Sequence, residues 1–354
     1  MKVKKLSLKN FRNISSLTIE PCDGMNVICG ENAQGKTNIL ESIWLFTGAK
    51  SFRSSKDSLF VKNGEEKAVC SLEFFAEGIE KEAEITVKEK RTATLNGNNL
   101  KSASLLAGNF NAIIFSPNDL RLVTDGPSVR RKFLDLAIGQ LRPNYIDCLR
   151  KYTRAVTQRN QLIKEYRYDS TVGIMLDVFE SEIAENGKKL ILYRKKYIDK
   201  LNEFLPNVYR GISCGKEELE TLYICKTKED ELIDALFDSR KEDMYSGITS
   251  VGPHRDDIEF KINGFEARQY GSQGQKRSVA LSLKLAEAEV IKENVGECPV
   301  FLLDDIMSEL DPNRQNFILN HIEGMQTFLT CCDPDNVKNL KAGKIFNISE
   351  GKVI

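Results

Sequence analysis

The chain has 354 residues, 41% of them hydrophobic and 29% charged, the composition of a protein that folds around apolar cores and a length that suggests two or three lobes. Its 51 basic residues cancel 51 acidic ones, so net charge argues for no anionic partner, and no run approaches the roughly 18 apolar residues of a membrane helix. The opening MKVKKLSLKNFRN alternates apolar and polar residues where a secretory leader needs a continuous apolar stretch, so a cytoplasmic protein is expected, its nine scattered cysteines reduced and mostly buried.

In chain order, alternating runs at Val3–Leu8, Met25–Cys29, Ala68–Phe75 and Glu82–Val87, with a turn at Asn96-Gly97, predict a partly antiparallel sheet. From about Ser128 to Asp238 glycines become scarce. Helical stretches follow at Val129–Ile138, Tyr145–Tyr166 and Val172–Phe204, none in a heptad register long enough for an extended coiled-coil arm. Strand patterns return at Glu259–Ile262, Val300–Leu303 and Thr327–Leu329. The expectation is an α/β head, a mixed sheet with helices, whose halves at 1–120 and 241–354 flank an inserted helical lobe at 121–240. Between Arg130 and Lys200 sixteen Lys and Arg stand against nine Asp and Glu, a local excess that hints at an anionic partner.

The strongest local signal is Gly30-Glu31-Asn32-Ala33-Gln34-Gly35-Lys36-Thr37, a P-loop with no mismatch to G-x4-G-K-[ST]. Val27 and Ile28 precede it as a strand end. Ile39, Leu40, Ile43 and Trp44 follow at helical spacing, and Gly48 is a plausible stop. A strand, loop and helix in this order aim backbone N–H groups and a helix dipole at a polyphosphate. ATP with Mg2+ is expected there, Lys36 reaching the β- and γ-phosphates and Thr37 ligating the metal.

A second acidic site ends the apolar run Val300-Phe301-Leu302-Leu303 at Asp304 and Asp305. Asp304 is expected to hold the metal and Asp305 to orient or deprotonate the attacking water. A shorter side chain than Glu at that second position suits slow hydrolysis used as a switch. Third comes Ser272-Gln273-Gly274-Gln275, opening a helix on which Val279, Leu283, Ala286 and Val290 recur. This resembles the signature of ABC ATPases, where a serine hydroxyl and glycine N–H at a helix N-terminus meet the γ-phosphate held by a second copy. Ser308-Glu309-Leu310-Asp311 resembles the D-loop of the same interface. Together the three motifs predict an ABC-type ATPase head that closes as an ATP-dependent homodimer.

The order and spacing of these motifs, with GENAQGKTN at 30–38, SFR at 51–53, FSPNDL at 115–120, GPSVRRKFLD at 126–135, GPHRDD at 252–257, SQGQKR at 272–277 and LLDDIMSELD at 302–311, resemble the RecF family of bacterial DNA-repair ATPases. The resemblance runs from NFRN at 10–13 almost to the end of the chain. It implies an SMC-like head without long arms that binds DNA, single- or double-stranded and gapped, and acts with RecO and RecR to help load RecA. It also implies Gly30 to Thr37, Ser272 to Gln275 and Asp311 as nucleotide contacts.

The resemblance places at Arg53 an arginine that senses DNA. Arg130, Arg131 and Lys132 open one helix, and Arg150, Lys151, Arg154 and Arg159 recur along the next, so one face could follow a phosphate backbone. His254 could join the nucleotide interface, or serve only as structure beside its Gly-Pro turn. ABC heads carry a switch histidine after the strand beyond the D-loop. Here Thr330-Cys331-Cys332-Asp333 has none, which leaves γ-phosphate sensing to Thr330 or to nothing. Two other classes stay open: a transporter ATPase subunit, which would need a shorter helical segment docked on a membrane partner, and a module that holds ATP without hydrolysing it.

Overall fold

The computed structural model describes residues 1–53, 56–165, 172–332 and 343–354. Its strands are β1 (Lys2–Phe11), β2 (Ile14–Ile19), β3 (Met25–Cys29), β4 (Ala68–Ala76), β5 (Ile79–Val87), β6 (Arg91–Leu95), β7 (Asn98–Leu100), β8 (Ala112–Phe115), β9 (Leu219–Ile224), β10 (Asp257–Ile262), β11 (Phe265–Glu266), β12 (Val300–Leu303), β13 (Thr327–Cys331), β14 (Lys344–Ser349) and β15 (Lys352–Val353). The helices are α1 (Lys36–Leu45), α2 (Arg121–Thr124), α3 (Pro127–Leu141), α4 (Pro143–Glu165), α5 (Val172–Ile212), α6 (Leu232–Asp238), α7 (Arg240–Ser246), α8 (Ala267–Tyr270), α9 (Gln273–Val295) and α10 (Pro312–His321). Tyr166 and Asp333 lie outside the described residues.

The chain forms two compact units, the first made of residues 1–120, 207–216 and 277–354. One of its sheets is an antiparallel meander in the order β2-β1-β4-β5-β6-β7. Alternation along β4 buries Ala68, Cys70, Leu72, Phe74 and Ala76 on one face, as a half-covered sheet requires. The last hairpin turns on Asn96 and Gly97, with φ of 49° and 77°, the left-handed pair that a two-residue turn between β6 and β7 needs. The other sheet runs β15-β14-β3-β13-β12-β8, parallel except for β15. Its inner strands β12 and β13 are buried throughout. That explains the unbroken apolar sequence of β12, Val300-Phe301-Leu302-Leu303. α1 buries Ile39, Leu40, Ile43 and Trp44, and Gly48 follows with φ of 78°, where a Cβ would meet the Ala107 nitrogen at 2.6 Å.

The second unit holds residues 121–206 and 217–276. Helices α2 to α4 and most of α5 accompany a three-stranded sheet, β11-β10-β9. Its ionic centre is Arg159, fully buried, which donates to Glu180, Asp243 and the Thr249 hydroxyl. A buried guanidinium is tolerable only with partners on this scale. His254 is held within the same unit by Tyr152 Oη at 2.5 Å and the Thr249 carbonyl at 3.0 Å. Burial depresses it to a pKa of about 4, the Arg255 and Arg131 charges pushing the same way and the Thr249 bond opposing them.

Several expectations change. The strand foreseen at Glu259–Ile262 is β10, and it pairs with β9 and β11 in the second unit, outside the sheets that carry the P-loop. The units divide the chain at 120/121, 206/207, 216/217 and 276/277, where the sequence reading put steps after 120 and after 240. Only three of the nine cysteines are buried, Cys29, Cys70 and Cys331, although all nine are free thiols. Among the described residues no helix is long and apolar enough to cross a membrane.

Candidate nucleotide site

The P-loop leaves β3 through Gly30, whose φ is 156° and whose hypothetical Cβ would lie 2.3 Å from the Ile348 carbonyl oxygen. No side chain fits there. Ala33 and Gly35 both have positive φ, 66° and 109°, and a Cβ on Gly35 would crowd Asn13 Oδ1 at 2.9 Å. The loop is braced from outside: Asn13 Nδ2 donates to the Ala33 carbonyl at 3.0 Å, the Gly351 N–H to the Gln34 carbonyl at 3.1 Å, and the Glu350 N–H to Gln34 Oε1 at 2.5 Å. α1 then begins with no side-chain cap, so its first N–H groups are available to an anion.

Lys36 is nearly buried and folds back, its Nζ donating to the carbonyls of Gly30 at 2.5 Å and Glu31 at 2.9 Å. Thr37 Oγ1 donates to Asp304 Oδ1 at 2.8 Å. Thr330 Oγ1, at the end of the strand between them, donates to the same oxygen at 3.0 Å and accepts the Asp305 N–H at 2.9 Å. Burial pushes the Asp304 carboxyl above its ordinary range and the Asp305 charge adds to that; hydrogen bonds from Thr37 and Thr330 and the Arg53 charge oppose it. Asp305 itself is exposed with φ of 53°, and Ser308 Oγ donates to its carbonyl at 3.0 Å. A non-glycine residue in that region costs energy that neighbouring bonds must offset. A threonine hydroxyl and a carboxylate facing a polyphosphate loop fit a hard divalent cation such as Mg2+.

The remaining predicted residues are distributed as follows. Ser272 and Gln275 form a reciprocal cap at the start of α9: the Ser272 N–H donates to Gln275 Oε1 at 2.7 Å and the Gln275 N–H to Ser272 Oγ at 3.2 Å. Gln275 Nε2 also holds Glu217 at 2.8 Å, while Gln273 is exposed and Gly274 half-buried. These residues belong to the second unit and the P-loop to the first. Asp311 caps α10, accepting the Arg314 N–H at 3.1 Å. Arg277 reaches the Glu309 carbonyl at 3.0 Å, tying α9 to the Ser308–Asp311 segment within the first unit.

Of the basic candidates, Arg130 is a correction. It is 3% exposed and paired with both Asp257 oxygens at 2.7 and 2.9 Å. It therefore presents no charge to an outside phosphate. Arg131 is half-buried on the Asp256 carbonyl at 2.8 Å. Arg150, Lys151 and Arg154 are exposed along α4, the first two sharing Asp147, whereas Arg159 faces inward. Arg53 donates to Asn38 Oδ1 at 2.8 Å, and its N–H is held by Ser51 at 2.9 Å. Behind it stands a network the sequence reading missed, in which Arg12 grips both oxygens of fully buried Glu41 at 2.9 Å and Ser51 donates to the same carboxylate. An acid on the apolar face of α1, with an arginine in NFRN, was the available signal.

The family model of the RecF/RecN/SMC N terminal domain matches residues 2–351. The chain is 37% identical over 360 residues to the "DNA replication and repair protein RecF" of Lachnospira eligens, covering 100% of this chain and 99% of that one. It belongs to the RecF family. A second relative of the same name, from Clostridium acetobutylicum, is 40% identical over 362 residues with the same coverage. The structure of this RecF-family chain superposes on "the recombination mediator protein RecF-ATPrS in RecFOR pathway" with a TM-score of 0.92 and 38% identity, over 99% of this chain and 97% of that one. An SMC head bound to the C-winged helix domain of ScpA is similar in fold alone, with a TM-score of 0.58 and 18% identity over 100% of this chain and 97% of that one. The fold is that of an ABC-type ATPase head.

Proposed function

We propose that this RecF-family chain is an ATP-dependent DNA-binding protein of recombinational repair and replication, in which ATP closes two copies head to head on DNA and slow hydrolysis releases them. The observation that carries the reading is the shared carboxylate oxygen of Asp304, which accepts from Thr37 at the end of the P-loop and from Thr330 on the intervening strand. In this reading Lys36 gives up the Gly30 and Glu31 carbonyls for the β- and γ-phosphates. Thr37 and Asp304 would hold magnesium, which would neutralise charge on the phosphate oxygens. Asp305 orients the water that attacks the γ-phosphate and takes its proton; its short side chain favours slow turnover. Ser272, Gln273, Gly274 and Gln275 offer an α-helix N-terminus to the nucleotide of the second copy, with Asp311 along the same interface.

Exposed Arg53, Arg150, Lys151 and Arg154 are the cations proposed for DNA, and half-buried Arg131 is a further candidate. The name RecFOR attached to the similar solved structure supports RecO and RecR as partners; help in loading RecA at gaps is part of the proposal. The deciding experiment is ATP turnover with and without gapped duplex DNA. Stimulation by DNA is expected. Turnover that ignores DNA of every form would overturn the reading.

A further inference from the structure

The strand that carries the P-loop and the strand beside it both end on a cysteine. Cys29 closes β3 one residue before Gly30, Cys331 closes β13 one residue after Thr330, and the parallel register pairs them directly. Their Sγ atoms lie 3.0 Å apart, inside ordinary non-bonded contact and roughly 1 Å longer than a disulfide bond. Both side chains are buried, at 1% and 6% exposure. The adjacent Cys332 is exposed and sits at the phosphate site, donating to Asn32 Oδ1 at 3.1 Å and receiving Lys36 Nζ at 3.6 Å.

We propose that Cys29 and Cys331 are an oxidation site, converted by a hydroperoxide into a disulfide that ties the P-loop strand to its neighbour and slows ATP turnover. The first half rests on geometry alone; the second rests on the ATPase reading above. Burial selects the oxidant, because a small uncharged peroxide can enter where a bulky charged disulfide cannot. The Cys331 sulfur attacks one peroxide oxygen, the O–O bond breaks, and the second oxygen leaves as water with the thiol proton, giving a sulfenic acid. The Cys29 sulfur then attacks the sulfenic sulfur, the S–O bond breaks, and a second water leaves with the Cys29 proton as the S–S bond forms. The two thiols lose two electrons, and hydrogen peroxide becomes two waters.

Closing the gap pulls on both sides of the reacting centre. Thr330, next to Cys331, holds Asp304 at 3.0 Å and the Asp305 N–H at 2.9 Å. Gly30, next to Cys29, has no slack against the Ile348 carbonyl. A displacement of about 1 Å at positioned catalytic groups lowers turnover by as much as a hundredfold.

The test treats the full chain with hydrogen peroxide, maps peptides by mass spectrometry without reduction, and follows ATP turnover before and after dithiothreitol. A Cys29–Cys331 linked peptide is expected, with turnover falling about tenfold or more and both changes reversed by reductant. Cys331→Ala and Cys29→Ala should each abolish the link and keep the turnover of their own untreated samples, whereas Cys332→Ser should still link. Free thiols at both positions after treatment, or a link through Cys332 instead, would overturn the site. A link without loss of turnover would overturn its effect. Reduced protein that never turns over ATP sinks the ATPase reading instead, and the peptide map still decides the oxidation.

Discussion

Thr37 and Asp304 meet through a 2.8 Å hydrogen bond although they follow β3 and β12, two strands that are not neighbours in the sheet. The strand between them, β13, contributes Thr330 to the same carboxylate oxygen. The proposed metal ligands are thus already joined directly, and Thr330 links one of them, Asp304, to the backbone N–H of Asp305.

Lys36→Ala should weaken ATP binding. Each charge-assisted hydrogen bond from the ammonium to phosphate is worth about 1.5–3 kcal/mol, so affinity should fall roughly tenfold to a hundredfold or more. Titration calorimetry with ATP and Mg2+ reads this directly, and unchanged affinity would remove Lys36 from the site.

Ser272→Arg and Asp305→Asn should act in opposite directions on pairing. The arginine lies where the second copy's γ-phosphate must approach, so ATP binding should persist while dimers fail to form. The asparagine keeps the phosphate site but cannot take a proton, so closed dimers should accumulate. Light scattering with ATP and Mg2+ measures both. Normal pairing by the Ser272 variant would dismantle the composite active site.

Reversing charge at Arg150, Lys151 and Arg154 together should flatten the dependence of DNA affinity on salt, by up to about 3 in log–log slope if each meets one phosphate. Arg130→Ala should leave that slope alone and lower thermal stability, because it removes two charge-assisted hydrogen bonds to half-buried Asp257, each worth about 1.5–3 kcal/mol at most. The two outcomes separate a binding cation from a buried one, and an unchanged slope in the triple variant moves the DNA surface elsewhere.

His254 should make the fold sensitive to mild acid. Its pKa falls from 6.5 to about 4 on folding, so between those values the unfolded chain binds the proton that the folded one refuses. The stability it contributes is complete above pH 6.5 and is lost as pH drops toward 4, a change of at most about 3 kcal/mol. Thermal unfolding of the wild type and His254→Gln at pH 7.5 and 5.0 should show the variant losing less on acidification. Equal losses would assign the acid sensitivity to other groups.

The motifs were legible because each is local: the P-loop needs eight consecutive residues, and the acidic strand six. What the sequence hid depends on partners far along the chain. Arg130 and Arg150 look alike in sequence, yet Arg130 meets Asp257, 127 positions away, and Arg150 meets Asp147 on its own helix turn. The strand Leu219–Ile224 was passed over inside a helical stretch, and its partner Asp257–Ile262 was given to the head. Alternation over six residues marks a strand but does not name the sheet it joins. The left-handed conformation of Asp305 was equally invisible, since the Thr330 hydroxyl that accepts its N–H lies on another strand.

The braces on the P-loop have a consequence for how the protein is made. Gln34 is held by Glu350, 316 residues later in the chain, and Gly30 packs on Ile348. At 5–20 residues per second a ribosome needs roughly 15–60 s to travel between them. Through that interval the emerging P-loop has its strand and helix but lacks its outer wall. A nascent chain should therefore ignore ATP until β14 and β15 have left the exit tunnel, so nucleotide capture waits on a strand pair made some 300 residues after the loop itself.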